Sequence, residues 1–164
     1  MRKTMVGLAL VAAMGLVTQT AAAQTTASMR PLRFGGEVNW ATDTDFGVGG
    51  RVVYAALGQK VGVSGLEGIV SMDVFFPGNS LTFFDLNANV AYPLRLTGMP
   101  KLSPYVGGGL NVAHSSHKGG SNTDVGLDVI AGSRFALGAL TAFGEGRIEF
   151  HHDSQFVLTF GVLF

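Results

Sequence analysis

The side chains best suited to chemistry are four histidines in two places: His114 and His117 flank Ser115 and Ser116, and His151 and His152 precede Asp153 and Ser154. A serine hydroxyl becomes a nucleophile when an imidazole within about 3 Å takes its proton and a carboxylate orients the far ring nitrogen. His114 with Ser116, and His152 with Ser154, are the candidate pairs, and Asp128 is the downstream acid for the first. Adjacency in a hydrophilic loop does not assemble that geometry, so solvated loop histidines are the default expectation. The chain has no phosphate-binding loop, no His-Glu-x-x-His helix and no Gly-x-Ser-x-Gly elbow. The histidines lack a fixed metal-ligand spacing, and neither a metal nor a cofactor is expected.

A second constellation is Glu145, Arg147 and Glu149, which alternate along one strand face. Such a run is either a charged constriction that breaks and re-forms to pass small ions or a salt-bridge plug. The plug is favoured, because side chains just fill the interior of an eight-stranded barrel.

The elements that must position these groups are strands. From Leu32 onward apolar residues recur with a period of two in eight segments. Leu32, Phe34, Val38 and Trp40 share one face of the first, with Arg33, Glu37 and Asn39 opposite. Val48, Val52 and Tyr54 oppose Arg51; Val70, Met72, Val74 and Phe76 oppose Glu67, Ser71 and Asp73; Phe84, Leu86, Val90 and Tyr92 oppose Asp85, Asn87 and Asn89. The later segments set Val106, Leu110 and Val112 against Tyr105 and Asn111, and Val125, Leu127, Val129 and Phe135 against Asp128 and Arg134. They close with Leu140, Ile148 and Phe150 against Glu145, Arg147 and Glu149, then Phe156, Leu158, Phe160, Val162 and Phe164 against Gln155 and Thr159. Turns are expected at Asp43 to Asp45, at Pro77 to Ser80 and at Gly138; Pro93 to Ser103 is a longer connection, and His114 to Asn122 the longest hydrophilic loop.

Composition narrows the class. The 164 residues hold 11 Lys+Arg, 11 Asp+Glu and no cysteine, with 24 glycines and only 13% charged residues, which leaves room for one domain. Zero net charge excludes a basic nucleic-acid binder, and 47% hydrophobic residues exclude a disordered chain. Part of a mean hydropathy of +0.35 comes from the N-terminus. Arg2 and Lys3, an apolar run from Met5 to Val17 and Ala21-Ala22-Ala23 read as a signal peptide over residues 1–23, too short in its apolar part for a helical span. Residues 24–30 follow as a flexible leader and 31–164 as the barrel domain. Removing Arg2 and Lys3 from the 11 basic residues leaves 9 against 11 acidic, a formal charge of −2.

Alternation alone does not distinguish a soluble ligand-carrying barrel, apolar inside, from a membrane barrel, apolar outside. Two features favour the membrane. Trp40, Phe76, Phe84, Phe150 and Phe156 would share one rim and Phe34, Tyr54, Tyr92, Phe135 and Phe164 the other, as two aromatic girdles at headgroup level do. The opposite faces carry Arg33, Arg51, Arg134 and Arg147 with Glu37, Glu67, Asp73, Asp85, Asp128, Glu145 and Glu149, and no lysine. A confined ionic network favours arginine, whose planar fork serves several carboxylates, whereas a solvated exterior would use lysine freely. The expected fold is an all-β, eight-stranded, antiparallel up-and-down transmembrane barrel behind a cleaved signal peptide.

On three pieces the chain resembles the small eight-stranded outer-membrane β-barrel proteins of Gram-negative bacteria: the terminal strand Phe156, Leu158, Phe160, Val162, Phe164; Pro104-Tyr105-Val106-Gly107-Gly108-Gly109-Leu110; and Ala142-Phe143-Gly144-Glu145-Gly146-Arg147. The resemblance implies residence among outer-membrane lipids and lipopolysaccharide. It also implies that the C-terminal strand is the signal read by the outer-membrane assembly machinery. Some barrels of this size are lipid A deacylases with a His-x-Ser motif, to which His114-Ser115-Ser116 and His152-Asp153-Ser154 are similar. The family's long external loops are missing at Ala41 to Asp45, Pro77 to Ser80 and His151 to Ser154, which argues against an adhesin or receptor role. The overall expectation is a monomeric, non-enzymatic envelope protein that binds no nucleic acid; the alternatives are a lipid A-modifying acyl hydrolase and a narrow pore for small solutes or ions.

Overall fold

The computed structural model describes residues 31–77, 82–94, 101–117, 120–151 and 154–164. The expected signal peptide and leader (residues 1–30), His152 and Asp153 lie outside them. Eight strands follow one another around a closed ring: β1 Leu32–Ala41, β2 Asp45–Tyr54, β3 Glu67–Phe75, β4 Thr82–Pro93, β5 Leu102–His117, β6 Gly120–Leu137, β7 Leu140–Phe150 and β8 Gln155–Leu163. Each pairs antiparallel with its chain neighbour, and β8 closes on β1 through Gly35↔Leu163 to Ala41↔Val157. The fold is therefore an eight-stranded, antiparallel, up-and-down β-barrel. Where all eight strands overlap, closure leaves no free edge, and backbone donors and acceptors pair within the wall.

The period-two pattern fixes which way each side chain points. In β1, Glu37, Asn39 and Ala41 are buried inside, and Val38 and Trp40 are exposed outside. The same split runs around the wall. The buried set contains Arg51, Asp73, Asp85, Arg147 and Glu149, while Val70, Met72, Leu110, Val129 and Phe160 are each about half exposed. The wall is apolar outward and polar inward.

Local chemistry sets the turns. Leu137 pairs with Leu140, so Gly138 and Ala139 form a two-residue hairpin loop; Gly138 alone has positive φ, 64°, as a type II′ turn requires at its first position. Inside the wall, glycine makes room for long neighbours: a Cβ on Gly132 would stand 2.6 Å from the Tyr105 hydroxyl.

Three details depart from the sequence reading. The segment His114 to Asn122, expected as a loop, is mostly strand: β5 runs to His117, β6 starts at Gly120, and His117 pairs with Gly120. The β6–β7 ladder begins only at Leu127↔Phe150, so residues 120–126 of β6 pair with β5 alone. Free of β7 on one side, that part of the hairpin carries few apolar residues, and without an apolar period it reads as loop. Second, the β2–β3 connection holds a short helix, α1 Leu57–Val61, ended by Gly62 in the left-handed region at φ 77°. Five residues are too few for a helical period to register. Third, β5 begins at Leu102, inside the expected connection, and admits Pro104 near its start, where a missing N–H costs least.

Candidate functional site

Inside the wall the charged side chains form connected clusters. At the end of the barrel where β1 begins and β8 finishes, Arg134 Nη1 donates to Glu67 Oε2 at 2.5 Å and Arg33 Nη2 lies 3.6 Å from Glu67 Oε1. Arg33 is the more solvent-exposed of these two arginines, with 29% of its side-chain surface accessible. Arg134 also stacks on Tyr105, its guanidinium carbon 4.5 Å from the ring centre. Next comes an apolar layer of Val53, Ile69, Ala91, Tyr105, Ile130, Phe143 and Leu163, all buried.

Arg51 lies further along. It grips Glu145 in a two-pronged pair, Nη2 to Oε1 at 2.7 Å and Nη1 to Oε2 at 2.9 Å, and the Tyr105 hydroxyl donates to the same Oε2 at 2.6 Å. Its Nε stands 2.6 Å from Glu37 Oε2, an ion pair out of line for a hydrogen bond. The Phe143 ring covers the guanidinium at 4.4 Å.

The most crowded cluster surrounds Arg147, which is fully buried. Its Nε donates to Glu149 Oε1 at 2.6 Å, and its Nη2 is shared between Asp73 Oδ2 at 3.1 Å and Asp85 Oδ2 at 3.3 Å. Asp73 and Asp85 are direct cross-strand partners, an arrangement that repels unless a cation or donors lie between them. Arg147 supplies the charge and amides supply the donors. Asn39 Nδ2 reaches Asp73 at 2.8 Å, Asn87 Nδ2 reaches Asp85 at 3.1 Å, Asn111 bonds Asp85, and Gln155 Nε2 reaches Glu149 at 2.5 Å. Asp128 takes its bond from Asn89, Nδ2 to Oδ2 at 3.1 Å. Beyond Arg147, Ala41, Phe75 and Val157 form a buried apolar cluster, with Phe83 edge-on to Phe75 at 5.8 Å between ring centres.

All eleven charged residues singled out from the sequence thus lie on the inner face. Sequence reasoning did not single out Tyr105, Asn39, Asn87, Asn111 or Gln155, the uncharged groups that support the carboxylates, nor Thr159, which donates to Asn39 Oδ1. Their signal was their parity: each sits at an inward position.

The aromatic residues lie on the outer face. Phe34, Trp40, Phe76, Tyr92, Phe135, Phe150, Phe156 and Phe164 are exposed, and Tyr54 and Phe84 are half-buried. Trp40, Phe76, Phe84, Phe150 and Phe156 stand at the end of the barrel where β1 finishes, and the other five at the end where β1 begins.

The candidate catalytic groups are not brought together. His114 and Ser116 occupy strand β5 on the outer face, where His114 Nδ1 meets Thr123 Oγ1 at 2.8 Å. Asp128 is 3% exposed on the inner face, so the wall separates that acid from that imidazole. His152, the partner proposed for Ser154, lies outside the described residues. His151 points inward and bonds Asn111 Oδ1 at the barrel mouth.

No family model matches the chain, and no curated protein matches it. Solved structures do share its fold. The N-terminal β-barrel domain of Pseudomonas aeruginosa OprF superposes with a TM-score of 0.65 at 14% identity, over 81% of this chain and 95% of that one. Neisserial surface protein A gives 0.57 at 16% identity, over 80% and 94%. A major outer membrane protein from Thermus thermophilus gives 0.52 at 14% identity, over 81% and 98%.

Proposed function

We propose that the chain is an integral outer-membrane β-barrel protein of a Gram-negative bacterium, monomeric and non-enzymatic, that serves envelope structure or integrity with its lumen closed by its own side chains. The observation that carries this reading is the inverted wall: apolar residues half exposed all round the outside, and arginines and carboxylates buried within. Water would not select that arrangement, whereas lipid does, because a closed barrel satisfies its backbone internally and offers hydrocarbon only apolar side chains. The aromatic residues then act as two girdles at headgroup depth. Likeness in fold to a major outer membrane protein of Thermus thermophilus supports the same location.

The C-terminal strand supports a role in assembly. Phe156, Leu158, Phe160, Val162 and Phe164 line the outer face of β8 and would be the signal met by the assembly machinery. Conversion of Phe164 to serine should lower the folded fraction in cells and leave refolding of the purified chain into vesicles intact. Against a pore stand the buried layers at Arg51, at Arg147 and at Phe75, which fill the section of the barrel. Against an acyl hydrolase stands the wall between His114 and Asp128.

Fractionation of expressing cells tests the location. The protein should remain in the outer-membrane fraction, resist extraction by urea, and migrate differently on a gel before and after boiling. Recovery in the periplasmic extract without detergent would favour a soluble ligand carrier. A change in lipid A mass on overexpression, abolished by His114→Ala or His152→Ala, would favour the enzyme.

A further inference from the structure

The barrel mouth at which β1 ends and β8 begins holds open space. Above Phe75 and Val157 lies a cavity of about 280 Å³. Phe83 and Ala113 give it an apolar base, and Asp43, Asp124 and His151 stand around it. The volume suits a small ligand, at the low end of ordinary binding sites.

The polar groups at this cavity are biased one way. Asn122 Nδ2 holds Asp124 through Oδ2 at 2.6 Å, which leaves Oδ1 free to accept. Asn111 spends its amide hydrogens on Asp85 and Asn87, so its Oδ1 is the acceptor toward His151 Nε2. The hydrogen is then on His151 Nε2, and in the neutral imidazole Nδ1 is an acceptor. Gln155 is 6% exposed; its Nε2 is committed to Glu149, and its Oε1 has no partner. The described lining residues include no lysine or arginine. Deeper in the lumen Arg147 is already engaged by Asp73, Asp85 and Glu149.

We propose that this mouth is a binding site for a small organic cation, a primary ammonium joined to an apolar group. Asp43 and Asp124 supply the countercharge for the ammonium, and the apolar part rests on Phe83 and Ala113. A bare metal ion fits less well, because no three histidine or acidic residues among the described residues converge as a cage.

The test uses the mature chain refolded in detergent micelles, with backbone amide NMR shifts read at pH 7. Benzylamine is the probe; benzyl alcohol and phenylacetate are its neutral and anionic counterparts. Benzylamine should give saturable shifts grouped at Asp43, Phe83, Asp124, His151 and Gln155, and the two counterparts should not. The double variant D43N/D124N removes charge from the rim without touching the interior network, and should weaken benzylamine binding about tenfold or more while the barrel spectrum is retained. Equal shifts with benzyl alcohol, no saturation, or unchanged binding in D43N/D124N would overturn the proposal. So would saturable binding of magnesium chloride at the same amides that benzylamine fails to displace.

Discussion

The inner and outer faces of the same wall obey opposite rules. Val129 and Asp128 are neighbours on β6, yet Val129 is 52% exposed on the outside and Asp128 is 3% exposed on the inside. In a water-soluble barrel the two environments would be exchanged. The difference teaches where stability comes from: the outer face draws it from the surrounding medium, and the inner face from specific pairing of groups that are costly to bury alone. A carboxylate taken out of water and left unpaired costs several kcal/mol, so every interior acid must be matched by a fork, an amide or a hydroxyl.

The strongest break of this contrast is at Arg147. Arg147→Ala leaves Asp73, Asp85 and Glu149 without their shared cation and should destabilise the barrel by about 3–5 kcal/mol, read as a lower midpoint of urea unfolding from lipid vesicles. Neutralising the three acids in the same chain, as D73N, D85N and E149Q, should recover part of that loss. On the outer face, Val129→Arg places a charge in the apolar band and should cost about 2–4 kcal/mol in the same assay. Equal stability to wild type would mean that Val129 does not meet lipid. Glu145→Gln keeps the shape but removes the charged, two-pronged partner of Arg51, an expected loss of about 1.5–3 kcal/mol. Arg33→Ala marks the lower limit. Its ion pair is 3.6 Å long and partly solvated, so the expected change is below about 1 kcal/mol and shrinks with added salt. An effect at Arg33 as large as that at Arg147 would erase the distinction between rim and centre.

Much of this was legible in the sequence because a strand writes its two faces in alternate letters. The parity of Glu145, Arg147 and Glu149 gave their facing, and Trp40 and Phe150 could be set on one rim by counting. The partners were not legible. Arg147 reaches Asp73 and Asp85, 74 and 62 residues away, only because the stagger of neighbouring strands brings those rows together inside the ring. Residue spacing holds no record of stagger. The β5–β6 extension was missed for a related reason. Beyond Leu127 the hairpin has lost a neighbour, and its cohesion rests on backbone pairing and on polar contacts such as His114 with Thr123, which leave no apolar period. The helix α1 was too short to write one.

Trp40 is the single tryptophan and stands half exposed on the outer face, so it reports on the medium that touches the wall. The most direct test of the account is its fluorescence after refolding into phosphatidylcholine vesicles with and without brominated acyl chains. A wall that faces lipid predicts blue-shifted emission quenched more strongly by the brominated lipid than by iodide in the buffer. Emission at a water-like wavelength, quenched by iodide and indifferent to bromine, would contradict it.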